Sequence, residues 1–377
     1  MAETKKRIFT LSKPYVSQAY RAKIRAWNLS EGVESTLICP PSWGDLPFEA
    51  EPASLTPLDI RICPIVANGK NHFFFYRGLS KIFSTVRPDI LNVEEEHYSL
   101  VTYQCLRWAK KLKVPMTFYT WQNIEKKYPW PFSFFEKEVF SYCKLAFAGN
   151  QEARDILKRK GFKGEIVVVP QMGYDPEIFY SKFSKPREGN ETGFVIGYAG
   201  RLVEEKGLST LVTSFHQLLA RGRNVRLIIA GNGPYKGEVT HRLDLEIKKG
   251  RASIVSQIPS GDMASLLQSL DVLVLPSLTK ANWKEQFGRI LVEAMACETV
   301  VVGSNSGEIP HVIHCPELIF KEGDAHSLSE VLEPLVLDPH KVRSLGKQLR
   351  EHAERNYSNN VIADIQLKAL KSQLYDA

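Results

Sequence analysis

The sequence has no run of about 18 apolar residues, so nothing in it reads as a transmembrane helix. Its first residues, MAETKKRIF, contain no apolar h-region and predict a cytosolic protein, with any membrane contact peripheral. Cysteine is sparse: Cys39, Cys63, Cys105, Cys143, Cys297 and Cys315 stand singly, without CxxC pairs, which argues against a disulfide framework or zinc site and predicts reduced, buried thiols. There is no internal repeat of short period and no low-complexity segment. The formal charge of +7 is modest for 377 residues and gives no ground for a nucleic-acid partner. A polyanionic substrate or an acidic membrane surface is equally compatible.

What is present is an ordinary globular composition, 44% hydrophobic and 24% charged, at a length that suggests two domains. Apolar runs of strand length alternate with helix-like segments throughout, which predicts βα units and parallel sheets. The first series falls near Arg7–Leu11, Val33–Ile38, Ile60–Cys63, Ile90–Val93, Met116–Thr120, Leu145–Ala148 and Ile166–Val169. A second begins at Phe194–Ala199 and continues through Val225–Ala230, Ser253–Ser256, Val272–Leu275, Val300–Ser304 and Leu318–Phe320. Between them Ser181–Thr192, polar and interrupted by Pro186 and Gly189, reads as a linker. The expected class is α/β, with a Rossmann-like domain over 1–175 and another over 193–357, the last helix (358–377) packing back on the first. Such sheets place ligands at the carboxyl ends of their strands, and two of them commonly leave a cleft. Ser327 and Glu330 read as a capping box opening a late helix.

The segment from Leu275 to Glu308 carries the densest chemistry. A helix expected from Phe287 to Cys297 is apolar on nearly every face, so Glu293 should be buried and needs a cation or a hydroxyl donor. Glu285 precedes that helix in a loop after a strand. The free amides of Phe287, Gly288 and Arg289 form an expected anion site at the helix start. After the strand Phe194–Ala199, the turn from Gly200 to Gly207 brings Arg201 and Lys206, a planar fork and a compact charge able to neutralise a diphosphate. Gly231 and Asn232 follow the next strand, and Ser306-Gly307-Glu308 a later one.

These residues resemble the retaining, nucleotide-sugar-dependent glycosyltransferases of the GT-B fold, specifically glycosyltransferase family 4. The matching pieces are GYAGRLVEEKG at 197–207, AGNGP at 230–234, LPS at 275–277, EQFGRILVE at 285–293 and SGEIPHVI at 306–313. The E-x7-E spacing with F-G inside it is specific, and the resemblance is clear over about 145–325 and loose before it. The resemblance implies that Arg201 and Lys206 hold the donor diphosphate with Gly200, Gly231 and Asn232 near it, and that Glu285 binds the donor sugar beside Phe287, Gly288 and Arg289. Glu293 would accept from the ribose, and the segment ending at Ile258 would contact the base. It implies no cofactor and no divalent metal; the nucleotide sugar is a substrate. Neither glutamate is then a nucleophile, unlike the carboxylate pair of retaining hydrolases.

The first domain departs from that family. The turn after its first strand, Ser12 to Ser17, has no glycine. Where the family commonly carries a histidine, near the end of the fourth strand, the chain reads Glu94-Glu95-Glu96-His97, so Glu94 is expected near the donor sugar, with His97 as the other candidate. Gln122 and Asn123 end a strand and could bind an acceptor: a glycan, a lipid-linked sugar or a small molecule. The aromatic stretches Phe73–Phe83 and Tyr128–Phe135 lie among basic residues, where a core role, a sugar or a membrane interface all remain open. A different GT-B activity such as nucleotide-sugar epimerisation, or a nucleotide-binding protein without catalysis, are the competing readings. A nicotinamide dehydrogenase is disfavoured because no strand is followed by G-x-G-x-x-G.

Overall fold

The computed structural model describes residues 5–52, 55, 57–181, 193–256, 258 and 262–375. They form two compact units, one of Met1–Met172 with Asn359–Ala377 and one of Gly173–Ser358. Residues 182–192, most of the expected linker, lie outside the described residues.

Unit 1 is built on seven parallel strands: β1 (Lys6–Leu11), β2 (Val33–Cys39), β3 (Asp59–Ile62), β4 (Ile90–Val93), β5 (Met116–Thr120), β6 (Leu145–Ala148) and β7 (Glu165–Val168). Their order is β7-β6-β5-β4-β1-β2-β3. Neighbouring residues on a strand point to opposite faces, and both faces are covered. Thus Phe9, Leu11 and Val93 enter one apolar cluster, whereas Ile8, Ile90 and Tyr119 enter another. The second cluster is closed by the last helix, Asn359–Tyr375, which contributes Ile362, Ala363, Leu367 and Leu370. Trp27, fully buried, donates its indole N–H to the carbonyl of Ala363 at 2.8 Å.

Unit 2 has six parallel strands: β8 (Phe194–Ala199), β9 (Val225–Ala230), β10 (Ala252–Val255), β11 (Val272–Leu275), β12 (Val300–Ser304) and β13 (Ile319–Phe320). The order is β10-β9-β8-β11-β12-β13. Both sheets reverse direction once, between β1 and β4 and between β8 and β11, and ligands in open α/β sheets bind beyond such a reversal. The chain returns from unit 2 beside the point where it entered: Tyr174 N–H donates to the Tyr357 carbonyl at 3.1 Å, and Tyr174 bridges Ser358.

Every sheet strand expected from the sequence is present within one residue at each end. Two hairpins of two-residue strands, Ser42–Trp43 with Leu46–Pro47 and Ile65–Val66 with Phe75–Tyr76, are too short for periodicity to reveal. The capping box is corrected. The helix Ala325–Leu337 opens two residues before Ser327, capped by Asp324, whose carboxylate accepts from Ser327 N–H at 3.0 Å, while Glu330 pairs with Arg221 at 2.9 Å. Five cysteines are buried free thiols, and Cys315 is only half-buried. Among the described residues no helix is long and apolar enough to cross a membrane.

Candidate functional site

In unit 2 the loops after β8, β11 and β12 are drawn together by backbone contacts that side chains would obstruct. Gly207 adopts φ 67°, and a Cβ on it would lie 1.8 Å from the carbonyl oxygen of Pro276. Gly307, at φ 54°, would bring a Cβ to 2.0 Å from the carbonyl oxygen of Glu285. Hydrogen bonds fill the same seams: Leu278 N–H to Glu205 O at 2.8 Å, Glu308 N–H to Glu285 O at 3.1 Å, and Ser304 Oγ to Ser277 O at 2.6 Å.

The loops deliver Lys206 and Glu285 to each other. One carboxylate oxygen of Glu285, Oε2, accepts from Lys206 Nζ at 2.5 Å and from the buried Ser277 hydroxyl at 2.8 Å. Lys206 also stands over the Trp283 ring, 5.0 Å from its centroid. The side chains remain 19% and 10% exposed, so a ligand can reach the ion pair without unfolding anything. Two charges so little hydrated are costly unless paired, and an incoming anion and sugar hydroxyl can take over the pairing. The sequence had assigned Lys206 and Glu285 to different parts of a ligand; Ser277 and Trp283, which align them, carried no assigned role.

Arg201 is exposed and, among the described residues, its guanidinium has no hydrogen-bond or ion-pair partner. Its carbonyl accepts from Tyr198 Oη at 2.8 Å; burial first, then the charges of Glu285 and Glu205, raise that phenol's pKa. Gly200 N–H donates to Ala230 O at 2.9 Å and Gly231 N–H to Val255 O at 2.8 Å, fixing the turns after β8 and β9 side by side. Asn232 is exposed and its carbonyl accepts from Leu202 N–H at 2.9 Å.

The buried helix is Arg289–Ala296, shorter than expected at its start, with Gly288 as N-cap in the left-handed region. Phe287 packs on Tyr357 at 5.7 Å. Glu293 is 6% exposed and pairs with Arg289 one turn earlier at 3.0 Å. Burial raises its carboxyl pKa, and Arg289 opposes the shift. Ile258 is half-buried, and Gln257 and 259–261 lie outside the described residues.

In unit 1 Glu94 and His97 are both turned into the fold. The Glu94 carboxylate points inward: it accepts from Lys23 Nζ at 2.7 Å, Tyr15 Oη at 2.7 Å, Asn92 Nδ2 at 3.1 Å and Gln171 Nε2 at 3.2 Å. Lys23, 1% exposed, also donates to Gln171 O and to Gln366 of the last helix. Burial lowers its pKa, with Glu94 acting the other way. Glu94 thus sits in a closed buried network with no lone pair turned to solvent. His97 is fully buried among Tyr98, Phe118 and Phe140, with Nε2 2.9 Å from Glu136. The half-buried Glu96 stands at the strand ends instead, accepting from Thr120 Oγ1 at 2.6 Å and Trp121 N–H at 2.9 Å. Beside it Gln122 is 8% exposed and its Oε1 is a buried acceptor with no donor, while Asn123 is buried next in line. A cavity of about 580 Å³ lies at the opposite strand ends, by Val114–Met116. Lys110 in its wall ends the helix Leu100–Leu112, where cations complement unpaired carbonyls, and none of the residues above lines it.

Two family models match the chain, Glycosyltransferase Family 4 over residues 28–178 and Glycosyl transferases group 1 over 180–352. The chain has the two Rossmann-like domains of the GT-B fold. Among curated relatives, the capsular polysaccharide biosynthesis glycosyltransferase CapM of Staphylococcus aureus is 29% identical over 171 residues, 45% of this chain and 43% of that protein. The MMP alpha-(1->4)-mannosyltransferase of Mycolicibacterium hassiacum is 30% identical over 230 residues, 58% of this chain and 52% of that protein. The chain thus spans about half the length of the curated relatives it matches. Among solved structures, a glycosyltransferase from Rickettsia africae superposes with a TM-score of 0.75 at 16% identity, covering 99% of this chain and 100% of that one. HepE of Anabaena in complex with UDP gives 0.73 at 15% identity, covering 97% and 100%. At such identities the GT-B fold is what is shared.

Proposed function

We propose that this protein is a metal-independent glycosyltransferase that moves a sugar from a nucleotide-diphosphate sugar to a hydroxyl acceptor with retention at the anomeric carbon. The observation that carries this reading is the partly exposed Lys206–Glu285 pair, aligned by Ser277 and Trp283 at the sheet reversal of unit 2. HepE of Anabaena has been solved in complex with UDP and with UDP-glucose, and one curated relative is GDP-mannose-dependent, so a diphosphate donor of either base is supported.

Lys206 and Arg201 hold the diphosphate, Glu285 takes hydroxyls of the transferred sugar, and Glu293 accepts from the ribose. The acceptor oxygen bonds to the anomeric carbon as the bond from that carbon to the diphosphate breaks, and the acceptor proton passes to the departing phosphate oxygen. The cations stabilise the charge growing on that phosphate, the kind of preorganised term worth about 10²–10³ in rate per donor. On the acceptor side Glu96 and Gln122 join Glu94 and His97 as candidates: a half-buried carboxylate, and a carbonyl that has no donor among the described residues, suit hydroxyl donors.

A thermal-shift panel of nucleoside diphosphates and their sugars identifies the donor by mass action. With that donor, Lys206→Ala and Glu285→Ala should each lower turnover by about 10² or more with the fold intact, and the parent should remain active in EDTA. Unchanged turnover in both variants would reject the assignment.

A further inference from the structure

The cavity of about 580 Å³ at the amino ends of the unit 1 strands has no part in the sites described above. Its floor is the segment Val114–Met116, in which Val114 and Met116 are 5% and 2% exposed and belong to one of the two apolar clusters of the unit. Tyr142 stands beside them, packed on the same cluster, with Oη donating to the Val114 carbonyl at 2.8 Å. The last helix supplies a further wall through Ser372 and Gln373. A floor tied into the core makes this a preformed space. Protein interiors leave few voids larger than a water molecule, whereas small-molecule pockets run to about 300–1,000 Å³.

Lys110, Lys113 and Lys144 complete the wall, and among the described residues no acidic side chain lines it. Two acids stand close by. Glu138 pairs with Lys110 at 2.7 Å, and Glu165 donates its backbone N–H to the Lys144 carbonyl at 2.8 Å. Among the described residues neither Lys113 nor Lys144 has an ion-pair partner, so two positive charges at the cavity are uncompensated. A helix end ordinarily repels an anion, because its last carbonyls have no partner. Here they are occupied: Lys113, the C-cap of the helix Leu100–Leu112 at φ 53°, donates its N–H to the carbonyls of Ala109 and Lys110, and Arg87 donates to that of Leu112 at 2.8 Å.

We propose that this cavity binds a small phosphate monoester that carries an apolar ring. Two free ammonium groups match the two charges of a phosphate monoester, and lysine meets phosphate as a point charge, with no planar fork required. The floor and the Tyr142 ring cover an apolar body that a bare phosphate lacks. The site is separate from the sugar-transfer residues. Met116 opens β5 at the cavity, and Thr120, which donates to Glu96, closes that strand about 13 Å away at about 3.3 Å per residue. The proposal therefore stands independently of the sugar-transfer reading.

The probe is phenyl phosphate, titrated into the full chain by calorimetry and followed by thermal shift. It should saturate one site about tenfold more tightly than inorganic phosphate, because its ring leaves water. Lys113→Gln/Lys144→Gln should weaken it about tenfold. Both side chains are exposed, so the unliganded melting temperature of that variant should match the parent's. Lys113→Arg/Lys144→Arg, which keeps the charge, should retain binding. Lys206→Ala should bind the probe as the parent does, and saturating UDP should not displace it. Absence of saturable binding, equal affinity in the glutamine variant, or inorganic phosphate binding as tightly as the ester overturns the proposal. Displacement by UDP, or loss in Lys206→Ala, assigns the probe to the donor residues and overturns it too.

Discussion

Glu293 is held at a cost to the fold. Burial raises its folded pKa above the ordinary 4.5, so the native state keeps a proton that the unfolded chain has already released. The stability this brings is fully present below the unfolded value and is lost as pH rises through the folded one. Glu293→Gln should therefore melt higher than the parent at neutral pH, with the gap closing as pH falls towards about 4.5 and closed below it, and should bind the donor less well. A gap of the same size at every pH would count against the burial account. Glu94 behaves in the opposite way, because its removal strands Lys23 without its counter-ion. Glu94→Ala should cost about 3–5 kcal/mol in a denaturant titration; a loss within 1 kcal/mol would mean that the network is not what holds Lys23. The different orientations of neighbouring glutamates are set by residues far along the chain. The partners that decide its orientation, Lys23 and Gln171, are 71 and 77 positions away along the chain, and nothing local in Glu94-Glu95-Glu96 says which carboxylate turns inward.

At the scale of elements the strands were legible because parallel strands covered on both faces must be apolar throughout, and β4 and β11 are buried along their whole length. Strand order was not legible, since any short loop is compatible with several neighbours. The glycine turns were recognised as places for a ligand, yet Gly207 and Gly307 serve first to let one loop lie against another. Gly207→Ala combines a left-handed φ with an overlap at the Pro276 carbonyl, so it should lower stability by more than about 1 kcal/mol. It should also shift the adjacent Lys206 and depress turnover. Thermal melts and initial rates read the two effects, and unchanged values in both would show that the turn tolerates a side chain.

For the whole molecule the division into two Rossmann-like units was visible in the doubled series of strands, and the helical character of the last segment in its sequence. The partners of that helix were not visible, because Trp27 meets Ala363 across 336 positions. All the donor-side residues, from Gly200 to Glu308, lie inside the single stretch Gly173–Ser358. Expressed alone, that stretch should fold and show the same nucleotide thermal shift as the full chain; a fragment that precipitates or fails to respond would contradict its independence.

The pairing of Tyr174 with Tyr357 and Ser358 gives that stretch an entrance and an exit at one point. Read as a gene, unit 2 is a cassette inserted into unit 1 between Met172 and Asn359. A cassette whose ends meet can be exchanged for another without re-engineering the host. Unit 2 can therefore be recombined while unit 1, including its returning helix, is left unedited.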